Sequence, residues 1–415
     1  MAAMEKNNKN LNVPNLRFPE FSGEWDITTI GEISNIKNGP FGSVLHAEDY
    51  VSDGIPIVTT EHFKSGSLPI VKDGIPQVSE QDYIRLKGYK LQTNDIVFSR
   101  VGSVDINAYV SDTQNGWLFS GRVLRVRPIS SVNSLCLHFV LSTEKVKQGI
   151  RSRAVGQTMP SINTPILSTT NIFLPKSLEE QRKISIFLAL IDARLETQKK
   201  IIEDLKKLKD AINNSLHNNI NEFQLFSFNE LGNDYSGLTG KSSDDFGSGL
   251  PYISYLNVFR NDIVTDGPFD CVKVSKIEKQ NVVSYGDLLF TLSSETPSEV
   301  GIGAIYLGKT NPIYLNSFCF GVHLSNHENI YGPYLAYFVT SQYFRRTILP
   351  FAQGSTRYNL MKSDFMKHKF CFPNIASQKA IYNTLHTLSE KIQNEEVCLN
   401  KYTEQKQYLL TRLFI

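Results

Sequence analysis

Between residues 178 and 219, apolar side chains recur in alternating steps of four and three: Ile184, Leu188, Ile191, Leu195, Gln198, Ile202, Leu205, Lys209, Ile212 and Leu216. Eight of these ten are aliphatic, and no Pro or Gly interrupts them. A repeat of 3.5 residues keeps one stripe facing a partner helix, so the stretch reads as one side of a coiled coil. The same count begun 197 residues later gives Ile381, Leu385, Leu388, Ile392, Glu395, Leu399, Tyr402, Lys406, Leu409 and Leu413, with the polar interruptions again at the fifth and eighth places. A homodimer zipper, or a helix laid on its own domain, carries a similar stripe. Two matching copies in one chain favour pairing within the chain, in an orientation that periodicity leaves open. An antiparallel pair with aligned ends sets Lys209 against Leu388 and Lys406 against Ile191, each ammonium reaching outward. It also leaves Leu190, Ile201, Leu208 and Leu410 as exposed apolar flanks.

Outside these helices the pattern changes. Short apolar runs broken by Gly, Pro, Asn and Asp, such as 55–58, 96–98, 123–126 and 172–174, are strand signals. The best helical pattern in the first half is 134–151, where Leu135, Phe139, Val146 and Ile150 recur. Several elements return in order: Gly54-Ile55-Pro56-Ile57-Val58 as Gly249-Leu250-Pro251-Tyr252-Ile253, Asn94–Ser99 as Gly286–Thr291, Gly156-Gln157-Thr158 as Gly354-Ser355-Thr356, and Phe173-Leu174-Pro175 as Cys371-Phe372-Pro373. The framework repeats and the loops do not. The expected organisation is an Asn/Lys-rich disordered tail (1–12), a globular domain (13–177), a helix (178–219), a second domain (220–373) and a second helix (374–415). The class is α+β: two globular domains with twisted, mainly antiparallel or mixed sheets and two long coiled-coil helices.

Composition narrows the function. A formal net charge of +2 argues against gripping nucleic acid by bulk charge, so any basic surface must be local. One stands between Arg85 and Arg153, with eleven basic residues against four acidic, and another across 301–370, with seven against two. No apolar run reaches the length of a membrane span and no signal-peptide core begins the chain, which predicts a cytoplasmic protein. The scattered Cys136, Cys271, Cys319, Cys371 and Cys398 read as reduced residues rather than disulfides or a zinc site.

The layout resembles the specificity (S) subunit of type I DNA restriction-modification enzymes. The likeness rests on Asn38-Gly39-Pro40-Phe41-Gly42-Ser43 before Gly54-Ile55-Pro56, on Asp95 through Arg100-Val101-Gly102-Ser103, and on Leu174-Pro175 before Glu179-Glu180-Gln181. The second half departs at 293–299, which replaces the Arg-Val-Gly-Ser turn, and at Ala376-Ser377-Gln378, which replaces Glu-Glu-Gln. The resemblance implies two target-recognition domains separated by antiparallel helices, each domain reading one half of a bipartite, asymmetric site in double-stranded DNA. It implies two modification subunits as partners, with restriction subunits joining for cleavage. S-adenosylmethionine, ATP and Mg are then expected on those partners only, with no cofactor on this chain. The 33 residues from Ile184 to Leu216 make a rod of about 50 Å, long enough to space two readers on one duplex.

Candidate DNA contacts are polar or basic residues in glycine-containing loops after apolar runs. In the first domain these are Thr60, Lys64, Arg100, Ser103, Arg122, Gln157 and Asn163; in the second, Tyr255, Asn257, Ser355, Arg357, Tyr358 and Asn359. Arg pairs bidentately with guanine and Asn with adenine, which makes 355–359 the richest cluster. The competing reading of each is a turn that bonds its own backbone. Enzyme motifs fail on inspection: Gly237-Leu238-Thr239-Gly240-Lys241-Ser242 has Tyr235 where a P-loop needs its first glycine, and Asn311-Pro312-Ile313-Tyr314 has Ile in place of the second proline of an adenine methyltransferase motif. His323 and His327 lack a third ligand. The expectation is a scaffold without catalytic residues or metal; the alternative is a stand-alone DNA-binding or anti-restriction regulator.

Overall fold

The computed structural model describes residues 12–40, 45–218, 222–275, 277–325 and 327–415. The expected tail before Asn12, and Phe41, Gly42 and Ser43 of the first glycine motif, lie outside the described residues. The chain forms two compact units, each discontinuous in sequence or bounded within the long helices: one runs to Gln198 and resumes over Cys398–Ile415, the other is Lys199–Val397. Each unit therefore contains a sheet-rich domain and one part of each long helix.

In the first unit a four-stranded antiparallel sheet orders Ser34–Asn38, Val123–Pro128, Ile96–Ser99 and Asn107–Tyr109. A second sheet contains Ile55–Val58 in parallel with Leu118–Phe119. Asp26–Thr29 pairs with Asn171–Leu174, the strand that leads into the helix. The second unit repeats this frame: Gly232–Ser236, Cys319–Leu324, Leu288–Thr291 and Gly303–Tyr306 in the same order, Phe246–Ile253 in parallel with Tyr314–Leu315, and Phe223–Ser227 against Lys369–Pro373. The parallel pairs make both units mixed, within the α+β class the strand pattern predicts. Alternating side chains on the central strands meet helical side chains in one core per frame, with Phe98, Leu124 and Leu137 in the first and Phe290, Phe320 and Phe338 in the second.

The expected helix over 134–151 is two helices, Ser134–Leu141 and Glu144–Arg151. Thr143 sits between them in extended backbone (φ −69°, ψ 144°). The Ser142 and Thr143 hydroxyls donate to the carbonyls of His138 (2.8 Å) and Val140 (2.7 Å), the second of which a continuous helix would have bonded to the Glu144 N–H.

The long helices are Leu178–Asn218 and Ile375–Leu413. Every one of the ten seam positions on each is buried or half-buried. In the first unit Asp192 pairs with Lys406 at 2.5 Å and Arg194 meets the Tyr402 hydroxyl at 3.3 Å. In the second, Lys206 pairs with Glu396 at 2.7 Å. Rising numbers on one helix meet falling numbers on the other, so the pairing is antiparallel. Lys406 reaches a carboxylate instead of open water, and Lys209 does likewise at Asp262, 2.5 Å away. Leu190 (65% exposed), Ile201 and Leu208 are exposed flanks as expected, but Leu410 is buried. The last helical turn sinks into the first core, where Leu409, Leu410, Leu413 and Phe414 pack together. Trp25 meets the Phe414 ring edge-on at 6.1 Å, and the Leu16 N–H donates to the Arg412 carbonyl at 2.8 Å.

Each helix is phased on its domain by one buried carboxamide. Gln181 accepts from the Asn133 N–H and donates to the Pro175 carbonyl, both at 2.8 Å. Gln378 accepts from the Tyr331 N–H and donates to the Asn329 and Pro373 carbonyls, all at 2.8 Å. The preceding Glu180 is buried because Arg17 grips it bidentately and the Trp25 indole N–H donates to it. The first strand of the second frame, Phe223–Ser227, comes within a few residues of the central helix, without a segment like 12–25, and Ser377 stands where a buried carboxylate would have no such partners.

Two outcomes follow from these buried groups. Gln378→Leu orphans the Tyr331 N–H and two carbonyls, each worth about 1–3 kcal/mol when buried unsatisfied; the urea midpoint of the second unit should fall, and an unchanged midpoint would contradict the anchoring role. Burial, then Lys406 and Lys147, hold the His138 imidazole down from its ordinary 6.5 to about 3. The unfolded chain then binds the extra proton between those values, so first-unit stability is full above about pH 6.5 and falls toward pH 3. His138→Gln should flatten that slope in urea titrations at stepped pH.

Candidate nucleic-acid interface

Backbone hydrogen bonds show which loops correspond. The Ser120 N–H donates to the Val58 carbonyl at 2.9 Å and Val123 closes back on Ser120 at 3.0 Å; Asn316 on Ile253 and Cys319 on Asn316 repeat both bonds at the same distances. Gly39 and Gly237 lie so close under these turns that a Cβ would meet the Ser120 carbonyl at 1.9 Å and the Asn316 carbonyl at 2.0 Å. The P-loop-like glycine at 237 is thus a close-approach glycine.

In the first unit Thr60 and Arg122 line one open cleft of about 460 Å³ with Tyr50, Glu61 and Gly121. Thr60 opens the short helix Thr60–Phe63, and Lys64 at its end pairs with Glu61 at 2.5 Å. Arg100 is half-buried and donates to the Gly121 carbonyl at 3.1 Å. Ser103 is exposed on the next turn, and its carbonyl accepts from the Ser99 hydroxyl. That turn is laced to the loop bearing exposed Gln157 by Gly102 N–H to Pro160 O (2.8 Å) and Ile162 N–H to Arg100 O (2.9 Å). Thr60, Arg100, Ser103, Arg122 and Gln157 thus share a neighbourhood. Asn163 instead acts locally, its Oδ1 capping Thr164–Ser168 by accepting from the Ile166 N–H at 2.9 Å.

In the second unit, Tyr255 stands where Thr60 does, opening the helix Tyr255–Arg260 and stacking on Phe259 at 5.9 Å. Burial pushes its phenol up, opposed by a hydrogen bond to Ser294. Asn257 is spent on a capping box, accepting from the Ser254 N–H at 2.9 Å and hydroxyl at 2.7 Å. Ser293–Ser294 pairs with Tyr358–Leu360, which pairs in turn with Ala352–Gly354. Exposed Ser355 and Arg357 occupy the hairpin tip, Asn359 is exposed on its returning strand and Tyr358 is half-buried. The hairpin therefore sits beside Tyr255 through Ser294.

The replacement at 293–299 is an insertion into a kept frame. Ser99 accepts the Ile106 N–H at 3.2 Å and donates to the Ser103 carbonyl; Thr291 accepts the Ile302 N–H at 3.0 Å and donates to the Glu299 carbonyl at 2.9 Å. Arg345 braces the longer loop from below, donating to the Ser298 and Val300 carbonyls, and burial lowers its guanidinium to about 10. The basic tally overstates available charge: Arg85 pairs with Asp82, Arg127 with Asp95, Arg151 with Asp105 and Glu144, Lys362 with Asp234, and Lys369 with Glu230. Sequence reasoning passed over Tyr50 and Phe318. The signal for Phe318 was its offset of 196 from Arg122. Among the described residues no cluster of three His, Cys, Asp or Glu is arranged for a metal, and His323 lies on a strand bonded to Asp287.

A family model described as the type I restriction modification DNA specificity domain matches twice, over residues 22–222 and 221–402. The type I restriction enzyme MjaVIII specificity subunit of Methanocaldococcus jannaschii is similar, with 22% identity over 408 residues that span 91% of this chain and 88% of the relative. The crystal structure of a type I restriction-modification S subunit from M. genitalium overlays with a TM-score of 0.57 at 15% identity, covering 97% of this chain and 99% of the other. A chain from work on complex assembly and conformational transition of the type I R-M system overlays at 0.58, with 15% identity and coverage of 94% and 97%. At such identity the overlays demonstrate a common fold.

Gly354→Ala tests the hairpin geometry. Its φ of +151° and the 2.0 Å approach of a Cβ to the Arg357 carbonyl leave no room for a side chain. The substitution should lower second-unit stability by more than about 1 kcal/mol and open the 353–358 loop to proteolysis; a wild-type midpoint with unchanged protease resistance would contradict it.

Proposed function

Because the chain belongs to the type I restriction modification DNA specificity domain family, with two copies of that domain, we propose that it is the sequence-reading, non-catalytic subunit of a type I restriction-modification complex, each unit taking one half of a bipartite site in double-stranded DNA. The observation that carries this reading is the pairing of one frame with two different loop clusters. Thr60, Arg122 and Gln157 stand in the first unit where Tyr255, Phe318 and Ser355 stand in the second. Like frames present unlike hydrogen-bonding groups, as two different half-sites require.

Methyl transfer and cleavage then belong to partners: two modification subunits that carry S-adenosylmethionine, and restriction subunits that use ATP and Mg. The exposed flanks, Ile186 and Leu190 in the first unit and Ile201, Leu208 and Val397 in the second, are docking positions for modification-subunit helices. Among the described residues no helix is long and apolar enough to cross a membrane. With much of the surface charge paired internally, few cations are left for phosphates, so the chain alone should hold DNA weakly and salt should screen what attraction there is.

Two measurements separate this from an enzyme or a stand-alone regulator. Chain alone, mixed with DNA and labelled S-adenosylmethionine, should transfer no methyl group, and transfer without a partner would contradict the proposal. Inserting one heptad into both long helices adds about 10 Å while keeping their seam in phase. The gap between half-sites in the complex's methylation pattern should widen while both half-site sequences stay the same; an unchanged gap would overturn the role of helix length.

A further inference from the structure

In each unit a turn and a hairpin meet at one spot. The turn ends at Arg122 in the first unit and at Phe318 in the second; their carbonyls accept the N–H groups of Arg100 (3.0 Å) and Leu292 (2.8 Å). The adjoining hairpin bends at Gly156 (φ +101°) and Gly354 (φ +151°), where an added Cβ would meet the Met159 carbonyl at 2.8 Å and the Arg357 carbonyl at 2.0 Å. Residue 159 thus corresponds to 357 as 122 corresponds to 318. The first unit has arginine on the turn and an exposed apolar side chain, Met159 (62%), on the hairpin; the second has exposed Phe318 (49%) on the turn and arginine on the hairpin. The Arg357 guanidinium lies over the Phe318 ring, 4.9 Å from its centroid.

Resting on the sequence-reading function above, we infer that this spot is a base-reading position in both units, where Arg122 and Arg357 each recognise a guanine although opposite elements supply them. Stacking on a ring occupies the face of a guanidinium and leaves its N–H edge as the interacting edge, the one that pairs with guanine O6 and N7. Held over the Phe318 ring, Arg357 also loses less side-chain freedom on binding than an arginine standing in solvent. Phosphate attraction needs no such arrangement, because any flexible lysine supplies it. An exposed Phe318 beside Arg357 suits a groove floor, where thymine methyl groups offer apolar contact, better than a phosphate backbone.

The test is selection of bound sequences from randomised duplexes by the full chain in complex with its modification subunits. The wild-type complex should select two unlike half-sites, each containing guanine. Arg357→Ala should relax one guanine in one half-site, lowering discrimination there by on the order of tenfold to a hundredfold, and leave the other half-site intact as an internal control for folding and assembly. Arg122→Ala should do the same in the other half-site. Arg357→Lys keeps the charge but lacks the bidentate fork, so it too should relax that guanine. Uniform weakening with unchanged preferences, full specificity in the lysine variant, or no change in either alanine variant would overturn the inference. A wild-type complex that selects no bipartite sequence would instead sink the functional reading on which the inference rests.

Discussion

An apolar stripe stepping by four and three has to be covered along its whole length, and the architecture is the way this chain covers it. Helices of this composition do not stand in water by propensity alone, so their stability comes from the stripe. Ile184 and Leu188 join the first core together with Leu409 and Leu413, while Ile381 and Leu385 join the second beside Ile212 and Leu216. Neither domain completes its hydrophobic core without residues from both helices. The buried carboxamides of Gln181 and Gln378 then fix the rotation of each helix on its sheet, and the ion pairs of Lys406 and Lys209 fix its register. The two lysines that interrupt the seam thus have carboxylate partners that a simple zipper would lack.

The repeat preserves geometry more faithfully than chemistry. A buried aspartate follows the same tight turn in both frames, Asp95 accepting the Gln92 N–H and Asp287 the Ser284 N–H, each at 2.8 Å. In the first unit Arg127 neutralises it with two bonds of 2.6 and 2.7 Å. In the second, the Tyr235 hydroxyl at 2.8 Å and His323 at 2.9 Å take that place. A buried carboxylate needs hydrogen-bond donors; arginine supplies two with a compensating charge, and the Tyr–His pair supplies them from two side chains. Backbone closure by Ser99 or Thr291 shows the same tolerance, spanning loops of different length. Such a frame can exchange its loop side chains without refolding.

The long helices and the order of framework elements were legible because they are local patterns: a period, a glycine before an apolar run, a Leu-Pro or Phe-Pro ahead of Gln. What escaped was nonlocal. The partner of Arg127 is 32 residues away and one of the two partners of Arg151 is 46 away, so a count of charges overestimated the basic surface. Leu410 read as an exposed flank because its cover comes from the far end of the chain, around Trp25 and Leu16. Asn163 and Asn257, singled out as candidate DNA contacts, also have a local role: the Oδ1 of each serves an N-terminal helical turn that needs an acceptor, a signature visible in Asn163 before Thr164-Pro165 and in Ser254 three residues before Asn257. The meeting of turn and hairpin at residues 122 and 318 depends on strand pairings that no local pattern specifies.

The central claim is that one chain carries two unlike readers whose outputs are joined into one address. Single-molecule sequencing of DNA methylated in a host that carries this chain with its modification subunit tests it most directly. The account predicts methylated adenines in one asymmetric sequence made of two different short half-sites with a fixed, unspecified gap. A continuous motif, two identical half-sites, or methylation indifferent to the presence of this chain would contradict it.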